Sequence, residues 1–202
     1  IDIACGFGRH SLPLARDYQL RITGIDISPG LIARAQKKAQ AENIAIHFQL
    51  LNASDLSAEG RFDHALIGYN TLSLFSPAIL PQILRNIHRA LRPGGRLFFD
   101  LDNRRFNNRY TERDSLWNIW PGGIVFGEIY YHQDLAVEIS RDLTFAHDSK
   151  EPKTYTLLKR IYTLEEIELL LTDHGFALHA LYGDWDRSSY NPATSPKMLI
   201  VG

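Results

Sequence analysis

The sequence predicts an α/β protein: a mostly parallel sheet with helices on both faces, and a small antiparallel β insertion after the fifth strand. Three observations carry this expectation. Short β-rich runs alternate with helix-length amphipathic segments from the first residue onward, as in successive βαβ units. Helix-start and helix-stop signals fall between them at regular intervals. The rhythm breaks once, across residues 103–159, where helical periodicity gives way to β-rich runs.

The first strand carries Asp2 and runs into Ala4-Cys5-Gly6-Phe7-Gly8, a turn with two glycines one residue apart. Glycines there allow positive φ and let a ligand lie against the main chain. A helix is expected over residues 9–17. The second strand, Ile22-Thr23-Gly24-Ile25-Asp26, ends on a carboxylate that can accept from a ribose diol. Ser28-Pro29 then caps a helix running to about Ala41. Strands are expected over 44–51 and 62–69. Ser76-Pro77 repeats the cap, and Ile79, Leu80, Ile83, Leu84, Ile87 and Leu91 mark one helical face. The fifth strand spans 96–101. Within the insertion, β runs are expected over 124–131, 136–145 and 154–161, with Gln133-Asp134 and residues 147–150 as turns. Thr163 with Glu166 forms a capping box, and Gly175 ends the helix that follows. Two final strands lie over 176–183 and 198–201.

The turn chemistry discriminates between nucleoside ligands. A dinucleotide fingerprint needs G-x-G-x-x-G so that a pyrophosphate can sit on the helix N-terminus. Counting from Gly6 the third glycine falls on Ser11, and counting from Ala4 it falls on Arg9. Asp2 would also repel a phosphate, whereas it suits an ammonium. The pattern fits a phosphate-free nucleoside with an ammonium group.

The string DIACGFG resembles the first motif of class I S-adenosylmethionine-dependent methyltransferases, with Ala4 in place of a glycine. GIDIS resembles the second motif, residues 48–56 the third, with Asn52 where a carboxylate is usual, and FDHALI and LRPGG the next two. The tail from Tyr162 is also similar, loosely so to amino-sugar N-methyltransferases. The resemblance implies a Rossmann-like, seven-stranded core over 1–102 and 160–202. The segment 103–159 would then be a substrate cover or dimer interface. It further implies S-adenosylmethionine as cofactor, held by Asp2, Ala4, Gly6, Gly8, His10, Asp26, Ile27, Asn52, Ala53 and Gly68. Asp26 would meet the ribose, Asn52 and Ala53 the adenine, and His10 the methionine pocket. A valine at Gly8 is expected to fill the ligand's space and spare the fold.

Methyl transfer from a sulfonium is an in-line displacement whose activated carbon comes from the cofactor. The protein aligns the acceptor and excludes water, so no dedicated catalytic dyad is required and none stands out. Tyr69 and Asn70, beyond the fourth strand, are candidates to position the acceptor, and His132 is a candidate base. Trp117, Trp120, Tyr130, Tyr131 and Arg141 in the insertion either line the acceptor site or form the core of its sheet. The tail loop 183–190 borders the same mouth.

Composition bounds the rest. A chain of 202 residues with 45% hydrophobic and 22% charged residues suits one core with an insertion. A net charge of −1 gives no general attraction to nucleic acid, so a small-molecule acceptor is expected. No apolar run reaches a membrane span. The lone Cys5 suits a reducing cytoplasm, and the absence of CxxC or paired histidine spacing argues against a metal. The chain begins inside a strand without Met, so preceding residues are expected. A homodimer through the insertion is a further expectation. Rival functions are a non-catalytic S-adenosylmethionine sensor or partner subunit, an RNA or protein methyltransferase, and a nicotinamide oxidoreductase.

Overall fold

The structure, a computed structural model, describes residues 1–103, 106, 114–132 and 134–202, without the side chains of Asp114, Leu116 and Trp120. The expected turn residue Gln133 and the Trp120 side chain thus lie outside the described residues.

Seven strands form the main sheet. In chain order the core comprises β1 (Asp2–Ile3), α1 (Ser11–Tyr18), β2 (Thr23–Asp26), α2 (Pro29–Ala41), β3 (His47–Leu50), β4 (Phe62–Ile67), α3 (Leu80–Ala90) and β5 (Leu91–Asp102). The insertion follows as β6 (Asp114–Trp120), β7 (Gly123–His132), β8 (Val137–Ala146) and β9 (Lys153–Arg160). The chain closes with α4 (Leu164–Asp173), β10 (Ala180–Tyr182) and β11 (Lys197–Val201). The sheet order is β10-β11-β5-β4-β1-β2-β3, and β11 runs antiparallel to both of its neighbours. The strand order turns around between β1 and β4, which places a ligand crevice at their carboxyl ends.

Two apolar clusters clamp the sheet. On one face Ile3, Ile67, Phe99 and Leu101 meet Leu84 and Ile87 of α3 and Ile167 and Leu171 of α4. On the other, Cys5, Leu12 of α1, Ile32 and Ala35 of α2 and Phe48 form a smaller cluster. The second face therefore also carries the alternate residues of β1, β4 and β5, among them Asp2, Gly68 and Asp100.

Local chemistry sets most boundaries. Ser28 caps α2, its hydroxyl accepting from Leu31 N at 3.3 Å, and the Thr163–Glu166 capping box is complete. Ser76 does not cap α3. Its hydroxyl takes Ala78 N–H at 3.4 Å, closing a turn, and the helix begins at Leu80, where Pro81 occupies the first turn. α1 starts later than expected because Pro13 has no N–H for the Arg9 carbonyl, and unbroken bonding begins with Leu14 N donating to His10 O at 3.1 Å. β4 stops short because Tyr69 (φ 64°) and Asn70 (φ 56°) leave the extended region. β3 is shorter at its start because Ile44 N still bonds to Ala39 O, at the end of α2.

The insertion is a separate four-stranded antiparallel sheet, β6-β7-β8-β9, one strand more than expected. β9 packs against the turn Thr71–Leu74 that follows β4, so the sheet stands beside the carboxyl end of the core. No helix among the described residues is long and apolar enough to cross a membrane. Leu84 is fully buried beneath the sheet. Leu84→Ala should therefore cost about 2–5 kcal/mol in denaturant unfolding, the range for emptying such a position.

Candidate active site

The turn after β1 is built from left-handed backbone. Ala4 (φ 55°), Gly6 (φ 56°) and Gly8 (φ 81°) alternate with ordinary conformations, and Cys5 N donates to Ile25 O at 2.9 Å, tying the turn to β2. Asp26 completes the tie. Its Oδ2 accepts from Gly6 N and its Oδ1 from Ser28 N, each at 2.8 Å. Each oxygen keeps a second lone pair, which a vicinal diol can use. Ile27, 70% exposed beside it, offers an apolar surface next to the carboxylate. A side chain on Gly6 would meet no atom within 4 Å, so the space above this residue is open.

Gly8 faces the other way. A Cβ there would stand 3.0 Å from Phe48 Cζ and 3.2 Å from Leu12, inside the smaller core cluster. The expectation that a valine would block the ligand and spare the fold is corrected. The residue at this position opposes Phe48, and the ligand can meet only its backbone. At Ala4 the substitution for glycine costs backbone strain, because an L-residue is held at positive φ.

Asp2 is buried, and Ser11 Oγ donates to its Oδ2. Burial pushes its pKa up, while the Ser11 hydrogen bond and then the nearby His10 oppose the rise. The carboxylate thus joins β1 to α1 through a side-chain hydroxyl. His10, at the start of α1, lays its ring against Gly68: Cε1 lies 2.6 Å from where a Gly68 Cβ would stand. Gly68 therefore makes room for the imidazole at the end of β4.

At the far end of the crevice Asn52 is exposed, and its Oδ1 accepts from Ser54 N at 3.0 Å, capping the short helix Ala53–Asp55. The Ala53 side chain lies in the main core, which leaves only its backbone for a base. Beyond β4, Asn70 is engaged throughout. Its N–H donates to Asp100 Oδ2 at 3.0 Å, its Nδ2 to Asp102 Oδ2 at 2.7 Å, and its Oδ1 accepts from Ser73 Oγ at 2.7 Å. This residue fixes the turn, and its side chain has little left for an acceptor. Tyr69 is 67% exposed, with the Arg9 guanidinium 4.2 Å over its ring.

His132 sits at the end of β7, where its Nδ1 accepts from Leu135 N at 3.4 Å; that contact belongs to the β7–β8 hairpin. Several aromatics of the insertion face outward rather than into a core. Trp117 and Tyr130 are exposed, and the cross-strand register puts them on one face with Phe126, Leu143 and Arg141; Tyr131 lies on the other. The tail is sewn to the end of β5 by Asn103, whose Nδ2 donates to Pro192 O and Ser195 O, while Tyr190 Oη donates to its Oδ1.

The acids Asp100 and Asp102 escaped the sequence-based candidates. Lys197 Nζ pairs with Asp102 Oδ1 at 2.8 Å. Their signal was present, because an acid inside a predicted central strand, F-F-D-L-D, has no reason to be there for packing. A cavity of about 230 Å³ bounded by Thr23, His47, Gln49 and Arg61 lies apart from this crevice, and no candidate cofactor residue lines it. Among the described residues, no three metal-ligating side chains gather.

Two outcomes follow from the turn's packing. Gly8→Val should lower stability by about 2 kcal/mol or more in denaturant unfolding, through strain and overpacking against Phe48. Burial pushes the Cys5 thiol up to about 12, so at pH 8 the folded protein holds it protonated. A thiol reagent should then label Cys5 only after unfolding; rapid labelling of native protein would contradict the packing.

Comparison with known proteins agrees with this geometry. The methyltransferase domain family matches residues 1–95. A protein of Geobacillus sp. (strain WCH70) that carries the provisional name of methyltransferase is 26% identical, the alignment covering all of this chain and 82% of that protein. An S-adenosylmethionine-dependent methyltransferase from Clostridium acetobutylicum superposes with a TM-score of 0.84 at 15% identity, over 99% of this chain and 81% of that one. An amino pentose methyltransferase from Micromonospora echinaspora, solved with S-adenosylmethionine bound, superposes at 0.71 and 16% identity, over 99% and 80%. Residues 1–95 thus match the methyltransferase domain, and the whole chain has the fold of the class I S-adenosylmethionine-dependent methyltransferases.

Proposed function

We propose that the protein transfers the S-adenosylmethionine methyl group to a nitrogen or oxygen of a small molecule by in-line displacement. The observation that carries this reading is the Asp26 bracket. A carboxylate already aligned by Gly6 N and Ser28 N keeps two free lone pairs for a ribose, beside a turn that is open above Gly6. In that frame Gly6 and the backbone around Ala4 and Gly8 carry the methionine portion. Ile27 and the backbone at Asn52–Ala53 flank the base, and His10, Gly68 and Tyr69 stand near the transferred methyl. The cofactor supplies the electrophilic carbon; the chain orients it and excludes water.

The small-molecule preference rests on the near-neutral charge, which offers no counter-charge to a polyanion. The chain is assigned to the cytoplasm on the buried, unpaired Cys5. The insertion sheet serves either as a cover for the acceptor or as the contact with a second copy. Its exposed face joins Trp117, Phe126 and Leu143 to a cross-strand Glu128–Arg141 pair, opposite charges that suit self-association about a two-fold axis.

Calorimetry with S-adenosylhomocysteine tests the cofactor, and Asp26→Ala should weaken its binding by about 1–3 kcal/mol, the loss of hydrogen bonds to a charged group. Unchanged affinity would put the ribose elsewhere. Incubation with S-adenosylmethionine and panels of amines and alcohols should yield S-adenosylhomocysteine with at least one acceptor. Tight binding with no turnover across the panels would instead identify a sensor or partner subunit.

A further inference from the structure

Asp100, inside β5, is a buried carboxylate of which only one oxygen is engaged. The residue is only 3% exposed. Its Oδ2 accepts from Asn70 N, but its Oδ1 is buried with no hydrogen-bond partner. Its neighbour Asp102 differs in this respect: one oxygen holds Lys197 and the other Asn70 Nδ2. Lys197 thus offsets Asp102, while half of the Asp100 carboxylate is left bare. A buried, incompletely paired carboxylate costs several kcal/mol, and such groups concentrate where a ligand completes them.

Strand alternation places this carboxylate. Phe99 and Leu101 face α3 and α4 within the main core, so Asp100 faces the opposite side of β5. Ile67 of β4 pairs with Phe99 and shares that core, so Gly68, one residue on, lies level with Asp100 and opens towards the same side. The His10 ring occupies that opening. Asp100 therefore stands between the His10–Gly68 contact and the left-handed Tyr69–Asn70 turn. Two successive non-glycine residues at positive φ mark a backbone whose strain is maintained for a purpose.

We propose that Asp100 holds the acceptor, and that the acceptor nucleophile is an amine. This deepens the methyl-transfer reading and rests on it. The nitrogen lone pair forms the N–CH3 bond as the C–S bond breaks and its electrons return to sulfur. The positive charge leaves the sulfonium and appears on nitrogen, which keeps its protons until the product departs. An N–H of the acceptor donated to Asp100 Oδ1 sets the lone pair's direction. The fixed carboxylate then gains attraction as charge develops on nitrogen, so it favours the transition state over the ground state. A neutral alcohol would have to pass its proton to a base as it attacks, a step that an amine does not need.

Two cofactor analogues with nitrogen in place of sulfur test this without knowledge of the natural acceptor. One carries a 2-aminoethyl arm, whose ammonium stands where the acceptor nitrogen would; the other carries an uncharged propyl arm of the same length. The protein should bind the aminoethyl analogue about tenfold tighter than the propyl one, the scale of a hydrogen bond between charged groups. In Asp100→Asn that preference should vanish while propyl affinity stays within about twofold, a split that a merely structural role would not produce. Equal affinities in the unmodified protein, or a preference that survives the substitution, would overturn the proposal. If S-adenosylhomocysteine and both analogues all fail to bind, the cofactor assignment itself falls, and this inference with it. Should Asp100→Asn not fold, a crystal structure of the unmodified protein with the aminoethyl analogue decides. The amine within about 3 Å of Asp100 Oδ1 supports the proposal, and the amine directed elsewhere contradicts it.

Discussion

The Asp26 carboxylate is the joint on which the site is built. It receives one backbone N–H from the turn after β1 and one from the residue that caps α2, so a single side chain aligns two segments that are distant in sequence. Charge-assisted hydrogen bonds of this kind are stronger than neutral ones. Because the carboxylate is spread over two oxygens, satisfying the backbone does not exhaust it. The same group that stiffens the crevice can therefore recognise a diol. Around it, Cys5 N bonded to Ile25 O and Ser11 bonded to Asp2 hold the turn against both flanking elements, so the cradle exists before any ligand arrives and little ordering cost remains for binding.

The opposite end of the crevice uses a second hub. Asn70 cross-links β4, β5 and the following turn through four polar contacts, and it does so from a left-handed conformation. Asn tolerates that conformation better than most residues. The tail is anchored to the same strand end by Asn103, and β9 leans on the adjacent turn. The insertion, the tail and the core thus converge where β4 and β5 end. Rigid strands carry the polar groups there, and loops close around them, the usual division between scaffold and function in open α/β sheets.

What was legible in the sequence was what short-range chemistry decides. Ser28-Pro29, the Thr163–Glu166 box, the apolar face of α3 and the two glycines of the first turn each act within a few residues, and the structure follows them. Contacts made across the sheet were not legible in that way. A side chain at Gly8 is expected to fill the ligand's space until Phe48, arriving from β3, is found in its path. Ser76-Pro77 has the same form as Ser28-Pro29, yet Pro81 moves the start of α3 downstream. Asn70 looks available until Asp100 and Asp102 arrive from β5. The first strand of the insertion and the exposure of its aromatic face depend on pairing with β7 and on what the face meets, neither of which periodicity encodes. The candidate cofactor residues lie in sequential motifs and can therefore be named from the sequence, while the polar groups proposed for the acceptor come together only in the fold.

The most direct test of the central claim is a crystal structure with S-adenosylhomocysteine bound. The account predicts both ribose hydroxyls within hydrogen-bond distance of the Asp26 oxygens, with the contacts from Gly6 N and Ser28 N still in place. A nucleoside seated elsewhere, or an Asp26 side chain turned away from the sugar, would contradict it.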